Sequence, residues 1–488
     1  MKLKELIQAL NLDLKCNGDT EIVKICENAE DVEQDDLLIL IKPISGKAPC
    51  YEAKREKVPA AIICESDAEI SAKGSDVIRV PSARVALAVA YSLFYKIDYE
   101  RLKIIGVTGT NGKTTTATLI KKILERSGKK VGFIGTGKIE ICERRITDDY
   151  YSMTTPDPRL LYPALAKMQS EGCEYCVMEI SSHAIALGKV APITLECALF
   201  TNLSPEHLDF HRDMDDYFKT KLSLFEKSRQ AVFNVDDEYG NLAAKSYGKT
   251  KTTVGILAEA DVSAYEIKNN GYSGYQYIYR GKGYSFLMRQ RLPGAHNIYN
   301  VLMAVACSYS LGVKPCIARE AVEEIYSISG RCEIIKDEIT VIIDYAHTPG
   351  AFKNILSFAA SLKKGKSKLH AVFGCGGERD RQKRPEMAKI AESAADRITV
   401  TADNSRKEST DAIIADILCG FRDMQKVSVI NDRKEAINSA IAGAQNGDTV
   451  IICGKGAEKY NIDEKGYHPF DDLAVAKDAI AQRHTYEN

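Results

Sequence analysis

The chain has 488 residues, too many for one hydrophobic core and enough for about three domains. With 45% hydrophobic and 27% charged residues, 33 Gly and 14 Pro, its composition excludes disordered, collagen-like and fibrous classes. The 66 basic and 67 acidic residues are interspersed and leave a net charge of −1, so no basic block argues for nucleic acid or anionic lipid.

The opening stretch "MKLKELIQALNLDLKC" predicts a short amphipathic helix without an apolar signal core. No apolar run reaches the roughly 18 residues of a membrane span, and the expected location is the cytosol. The 14 cysteines then read as small buried apolar residues. The C-x-x-C pair Cys173 and Cys176 has no second pair to complete a zinc site and runs into a strand-like segment, so a structural role is expected.

Residues 1–97 mix short predicted strands (Ala60–Cys64, Val77–Val80) with helices such as Ala83–Leu93. From Leu102 onward, "LKIIGVTG", "KVGFIG", "YCVMEIS", "ECALFTNLS" and "QAVFNVDD" alternate with amphipathic stretches, the pattern of a parallel sheet covered on both faces. Tyr265–Leu287 alternates instead and is rich in Tyr and Gly, which predicts a small antiparallel insert. After Gly330 the first pattern restarts in "ITVIIDYAHTP", "LHAVFGCGG", "RITVTADNS", "VSVIND" and "DTVIICGKG". Each run ends in small, polar or charged residues, where open α/β sheets hold ligands. The expected class is α/β with three domains: a small α/β domain at 1–97, a P-loop-type domain at 98–329 and a Rossmann-like domain at 330–488.

"GVTGTNGKTTT", residues 106–116, follows the apolar run Ile104–Ile105. The common phosphate-loop pattern G-x-x-x-x-G-K-S/T requires glycine five places before Gly112, where Val107 stands. The chemistry survives that departure. A strand, a Gly- and Thr-rich turn and a helix beginning near Lys113 bring backbone N–H groups and a helix N-terminus to one point. Lys113 can reach the outer phosphates of a nucleotide and Thr114 can offer its hydroxyl to Mg²⁺. The competing reading is a tight turn with an incidental lysine.

The wording "GTNGKTT" is joined, in chain order, by "TTP" (154–156), "MEISSH" (178–183), "FTNLSPEHLDFH" (200–211), "YFKTKLSLF" (217–225), "LPGAHNIYN" (292–300), "GRCE" (330–333) and "DYAHTP" (344–349). "FGCGGERDRQKRP" (373–385), "DNSR" (403–406) and "GKGAE" (454–458) follow. Together these blocks resemble the Mur ligase family, the ATP-dependent amide ligases that build the peptide stem of peptidoglycan. The last three look most like the member that adds the third stem residue. The resemblance implies attachment of meso-diaminopimelate to UDP-N-acetylmuramoyl-L-Ala-D-Glu through an acyl phosphate. A diverged ligase using L-lysine, another amino acid or another carboxylate carrier is the nearest alternative. A P-loop module that binds nucleotide without ligating is the alternative of a different class.

Activating a carboxylate with ATP gathers anions, and cations with N–H donors must neutralise them. By resemblance, Gly109, Thr110, Asn111, Gly112, Lys113, Thr114, Thr115, Asn297, Asn300, Arg331, Asp344 and His347 bind ATP. Arg331 suits a phosphate because a guanidinium bridges two oxygens in a fork, while His347 reads equally as a structural cap. Thr114, Glu179, His207 and Lys221 are implied Mg²⁺ ligands, with Lys221 carbamylated by CO₂ so that a cation becomes an anion. Together with Lys113, the last three form the implied catalytic set. Lys219, two residues before Lys221, faces elsewhere on a helix and reads as a solvated lysine.

Thr154, Thr155, Ser181 and Lys189 are the implied contacts to the sugar–peptide substrate, and Arg379, Asp403, Asn404, Arg406, Gly454 and Glu458 those to the incoming amino acid. Arginines suit its carboxylates, and carbonyl or carboxylate oxygens its distal ammonium. Partners are therefore small molecules, with no nucleic acid and no membrane insertion, and the chain is expected to be a monomer. Four departures stand out. Ser405 replaces the proline of the usual Asp-Asn-Pro-Arg, Ala457 replaces a histidine, and Leu187 and Lys189 replace Gln and Arg. "NAEDV" (28–32) replaces the "DSR-x-V" that helps bind the uridine end.

Overall fold

Apolar runs flanked by amphipathic helices become parallel strands in the computed structural model, which describes residues 1–13, 19–43, 46–52, 58–146, 153–281 and 283–486, the last two by backbone alone. The architecture is α/β, as expected. The chain divides into two units, one of residues 1–108, 128–198 and 220–230, the other of 109–127, 199–219 and 231–488.

The first unit opens with a four-stranded parallel sheet in the order Ile25–Cys26, Leu37–Ile39, Ala61–Cys64, Asp76–Arg79. Alternate residues of its strands feed two cores. Leu37, Ile39, Ala61 and Ile63 face the helices Leu3–Ala9 and Ala83–Phe94, whereas Leu38, Ile62 and Cys64 pack with Val32 and Tyr51 on the other side. That division is the period-2 geometry of a strand buried on both faces. Ser82 caps the second helix by accepting the Val85 N–H at 3.4 Å. The predicted first helix is shorter than its amphipathic pattern. It runs only from Leu3 to Ala9, and Asn11 then turns the chain with φ of 53°. Residues 14–16 of that prediction lie outside the described residues.

The same unit holds Lys103–Thr108, Tyr175–Glu179 and Val131–Gly135 as parallel neighbours, extended by the antiparallel strands Lys138–Ile141 and Arg144–Arg145. Every residue of Tyr175–Glu179 is buried, so its terminal glutamate is delivered to the carboxyl end of the sheet without solvent around it.

In the second unit, helices Lys113–Arg126, His296–Ser310 and Pro315–Glu323 pack together. Thr250–Val254 pairs in parallel with Val262–Asn269, which then meanders antiparallel through Tyr275–Gly281 and Tyr284–Gln290. This is the predicted insert, and it continues a sheet rather than standing apart. The C-terminal sheet has the order Glu333–Lys336, Thr340–Asp344, Thr449–Cys453, Leu369–Phe373, Arg397–Val400, Val427–Val429. All pairings are parallel except the first, whose edge strand Glu333–Lys336 is only half-buried and carries no continuous apolar run. Separate apolar cores cover its two faces, one around Phe352, Phe373 and Met387, the other around Ile343, Ile437 and Ile452.

Candidate active site

The strand Lys103–Thr108 explains the missing glycine of the phosphate loop. Val107 lies inside it, fully buried and paired with Glu179, so extended backbone with a β-branched side chain is what the position needs. Glycine is required further on. Gly109 has φ of 142°, and a Cβ there would lie 2.0 Å from Thr201 Oγ1. Gly112 has φ of 84°, and its Cβ would lie 2.5 Å from Asn300 Oδ1. Both are left-handed positions with no room for a side chain.

The loop is braced along its length. Asn202 accepts the Thr110 N–H through its carbonyl and the Asn111 N–H through Oδ1, each at 2.9 Å. Thr110 Oγ1 accepts the Ser204 N–H at 3.0 Å. Thr116 donates to Asn300 Oδ1 at 3.2 Å, and Asn300 donates onward to Asn297 Oδ1 at 2.8 Å. Asn297 and Asn300 thus hold the loop and its helix in register. The helix begins at Lys113, with Thr114 and Thr115 in its first turn. Lys113 Nζ lies over the loop, donating to Gly109 O at 3.0 Å and Thr110 O at 2.8 Å.

Arg331 reaches the same helix start, donating from Nη2 to Thr114 Oγ1 at 2.8 Å while its guanidinium lies 4.3 Å from the Tyr345 ring centroid. Asp344 braces the Arg331 turn by accepting the Cys332 and Ala346 N–H groups at 2.7 Å each. Burial pushes its carboxyl up, against the pull of Arg331. His347 is not the cap of the following helix. Thr348 is, taking the Ala351 N–H at 3.3 Å, and His347 Nε2 instead lies 3.3 Å from Glu206 Oε1.

Glu206, within "FTNLSPEHLDFH", is a further buried member of this site. Its second oxygen lies 3.6 Å from Nε2 of His207, whose φ of 59° is a strained left-handed value. Burial alone would raise the Glu206 carboxyl, but His207, His347 and Lys113 hold it well below the usual carboxylate range. The carboxylate is a bracket between two imidazoles.

In the first unit, Glu179 is fully buried and accepts the Thr136 N–H at 3.1 Å. Thr155 donates to Glu179 O at 2.9 Å and accepts the Ser181 N–H at 3.0 Å, and Thr136 donates to Thr154 Oγ1 at 3.3 Å. Thr154, Thr155, Ser181 and Glu179 are therefore one cluster. Lys189 pairs with Asp157 at 2.6 Å, and its Nζ lies 3.4 Å from Met153 Sδ. Lys221 is buried, with Nζ 3.5 Å from Thr108 Oγ1. Lys219, in contrast, is exposed and pairs with Asp215 at 2.7 Å.

The predicted amino-acid residues converge in the second unit. Asn404 donates from Nδ2 to Glu458 Oε2 at 2.8 Å, and Arg406 donates to Gly377 O at 2.8 Å and Asn404 O at 3.2 Å. Gly454 leaves space for Asp403, since a Cβ there would lie 2.4 Å from Asp403 Oδ2. Arg379 is exposed nearby, its Cγ 3.7 Å from where a Gly376 Cβ would be, while Arg406 Nη1 is 3.1 Å from the same point. Burial and Arg379 lower the Arg406 guanidinium, with Asp403 and Glu458 opposing. Ser405 lies in a turn tied by backbone hydrogen bonds. It is buried, its carbonyl accepts the Glu408 N–H at 3.1 Å, and Asn404 O accepts the Gly377 N–H at 2.9 Å. Lys455, inside "GKGAE", is fully buried against this group, with no periodic pattern in the sequence to mark it.

The altered N-terminal block forms the 3₁₀ turn Ala29–Asp31, with Asn28 spent on capping it through the Glu30 N–H at 3.2 Å. Cys173 and Cys176 are buried free thiols, as expected, and burial pushes Cys173 up to about 11. Among the described residues, no three His, Cys, Asp or Glu side chains converge as a ready metal cage. Mg²⁺ takes carboxylate and hydroxyl oxygens beside waters and substrate phosphates, and the Glu179 carboxylate, buried at the end of its strand, is a donor of that class. Among the described residues no helix is long and apolar enough to cross a membrane.

A braced phosphate loop opening a helix, with an arginine aimed at that helix start, defines a nucleotide-binding α/β protein of P-loop type. Two family profiles match, the Mur ligase middle domain over residues 107–308 and the Mur ligase, glutamate ligase domain over 330–456. The UDP-N-acetylmuramoyl-L-alanyl-D-glutamate--2,6-diaminopimelate ligase of Clostridioides difficile (strain 630) is 38% identical, covering 99% of this chain and 100% of that protein. The ligase of the same name from Aquifex aeolicus (strain VF5) is 38% identical over 93% of this chain and 92% of its own length. A solved structure of a ligase so named aligns with a TM-score of 0.66 and 26% identity over 99% of both chains. A Mycobacterium tuberculosis folylpolyglutamate synthase, at 16% identity over 76% of this chain and 92% of its own, has a TM-score of 0.65 and bears on the fold alone. The chain belongs to the Mur ligase family, and so to the ATP-dependent enzymes that form amide bonds.

Proposed function

We propose that this enzyme joins meso-diaminopimelate to the γ-carboxylate of D-Glu in UDP-N-acetylmuramoyl-L-Ala-D-Glu. The observation that supports it best is the convergence of Arg406, Asn404, Asp403 and Glu458 in one cluster. Such a cluster offers cationic donors to a carboxylate and acceptors to an ammonium, the two groups at the distal end of diaminopimelate. The full-length relatives bearing that activity in their names support the same reading.

The carboxylate oxygen of the acceptor attacks the γ-phosphorus of ATP, releasing ADP and leaving an acyl phosphate. The amine of the amino acid then attacks the acyl carbon; inorganic phosphate leaves and the amine loses its proton. Lys113 and the N–H groups at the start of its helix offset phosphate charge in the first step, and Arg331 adds a fork for the transferring group. Mg²⁺, when bound by Thr114, Glu179, His207 and a carbamylated Lys221, would neutralise phosphate charge. Thr154, Thr155, Ser181 and Lys189 are assigned to the sugar–peptide substrate. Domains at 1–97, 98–329 and 330–488, a cytosolic location and a monomeric state belong to the same proposal.

A second reading, a different carboxylate carrier, is favoured by one observation: Asn28 is used as a cap where the family's uridine motif would lie. Phosphate release with UDP-N-acetylmuramoyl-dipeptide and a panel of amino acids tests both. Turnover with meso-diaminopimelate supports the first reading; no turnover on this carrier with any amino acid overturns it.

A further inference from the structure

Resting on the reading of 403–406 and 454–458 as the amino-acid site, we propose that Lys455 is a positioning residue that sets the orientation of Asn404 and the charge of that site. Lys455 is fully buried. Its ammonium donates to Asn404 Oδ1 at 2.7 Å and to Tyr460 O at 2.8 Å, and lies 3.7 Å from both Asp403 Oδ1 and Glu458 Oε2.

An ammonium can only donate, so it faces the oxygen of the Asn404 amide and never its nitrogen. The Ile462 N–H adds a second donor to the same oxygen at 2.9 Å. The Asn404 amide nitrogen is thereby turned toward Glu458 Oε2, 2.8 Å away. Lys455, fully buried behind Asn404, acts on the amino acid only through the residues it contacts, and it decides which end of Asn404 is presented.

The charge argument is independent. Asp403 and Glu458 are two nearby carboxylates, and Arg433, a second buried cation near Asp403, is committed to a bidentate pair with Asp472 at 2.7 and 2.8 Å. Burial raises the Glu458 carboxyl and Lys455 opposes it, and despite burial Lys455 and Arg433 hold Asp403 below its ordinary range. One ammonium between two carboxylates leaves a single net negative charge. That matches one distal ammonium, while Arg406 and Arg379 remain for a carboxylate. Lys455 thus suits the site to a terminus bearing both groups.

The test uses the full-length enzyme and the variants Lys455→Met, Lys455→Gln and Lys455→Arg. Wild-type turnover with meso-diaminopimelate is measured first, and its absence overturns the functional reading itself. Lys455→Met should raise KM for meso-diaminopimelate at least about tenfold, the scale of one charge-assisted hydrogen bond, with KM for ATP changed less than about twofold. Lys455→Gln, which keeps a donor for Asn404 but no charge, should fall between Met and wild type, and Lys455→Arg should recover most of the affinity. Melting curves and AMPPNP binding report folding. Folded Met and Gln variants with wild-type KM for meso-diaminopimelate overturn the inference. So does failure of both variants to fold, which would assign Lys455 to the architecture alone.

Discussion

Arg331 Nη2 donates to the hydroxyl of Thr114 at 2.8 Å, tying the "GRCE" turn to the first turn of the phosphate-loop helix. With Thr114 proposed as a metal ligand and Arg331 as a phosphate partner, this contact links two groups assigned to the same nucleotide. Arg331→Ala should lower kcat/KM for ATP by about 10²-fold, the scale of losing one charged donor to a developing anion. Arg331→Lys should recover only part, since an ammonium cannot fork across two oxygens or stack on Tyr345. Steady-state kinetics with ATP varied check this; wild-type values for the alanine variant would remove Arg331 from the nucleotide site.

Lys113→Ala should abolish ATP turnover and leave the melting temperature nearly unchanged. Its ammonium is only partly buried and rests on the Gly109 and Thr110 carbonyls, which water can satisfy instead. Phosphate release close to the wild-type rate would show that this loop does not carry the nucleotide.

Lys221→Ala should inactivate through the metal site. Small carboxylates such as acetate are expected to restore part of the activity by standing in for a carbamate. Nucleotide-bound crystals resolving an unmodified ammonium at Lys221 would defeat the carbamate reading, whatever the kinetics of the variant.

Arg406→Ala should cut activity with meso-diaminopimelate far more than residual activity with lysine, because the two differ by the distal carboxylate. A charge-assisted bond of about 1.5–3 kcal/mol corresponds to roughly 10- to 150-fold in kcat/KM. The backbone bonds around Ser405 hold the turn without a proline, so the discrimination should be substantial. Equal losses on both substrates would mean that Arg406 reads no distal carboxylate.

Glu408→Gln should destabilise the enzyme by about 3 kcal/mol at neutral pH, since it removes one of two carboxylate charges paired with the fully buried Arg384. Arg384 is the first cause of a strongly depressed Glu408 carboxyl, ahead of Arg381. A depressed pKa stabilises fully above the unfolded carboxyl's pKa of about 4.3 and progressively less as pH falls below it. The stability gap between variant and wild type should therefore be constant from neutral pH to about 5 and shrink below 4. Urea unfolding across that range measures it; a gap that widens in acid would be the wrong sign.

The sequence by itself determined what local chemistry dictates. Gly109 and Gly112 sit at left-handed, sterically closed positions that only glycine occupies cheaply, so the loop was legible although Val107 broke the common pattern. The buried strands of the C-terminal sheet were legible because both of their faces are apolar. The first helix was overestimated because amphipathic spacing does not register a left-handed turn at Asn11. Tertiary structure alone decided the partners of groups whose charge had to be met at a distance along the chain. Glu206 is bracketed by its neighbour His207 and by the remote His347, and Lys455 reaches back across 51 residues to Asn404. Neither carboxylate nor ammonium leaves a periodic trace in sequence. Each is intelligible only once burial has removed water, because an ion in a dry interior must find its counter-charge among whatever residues the fold brings near.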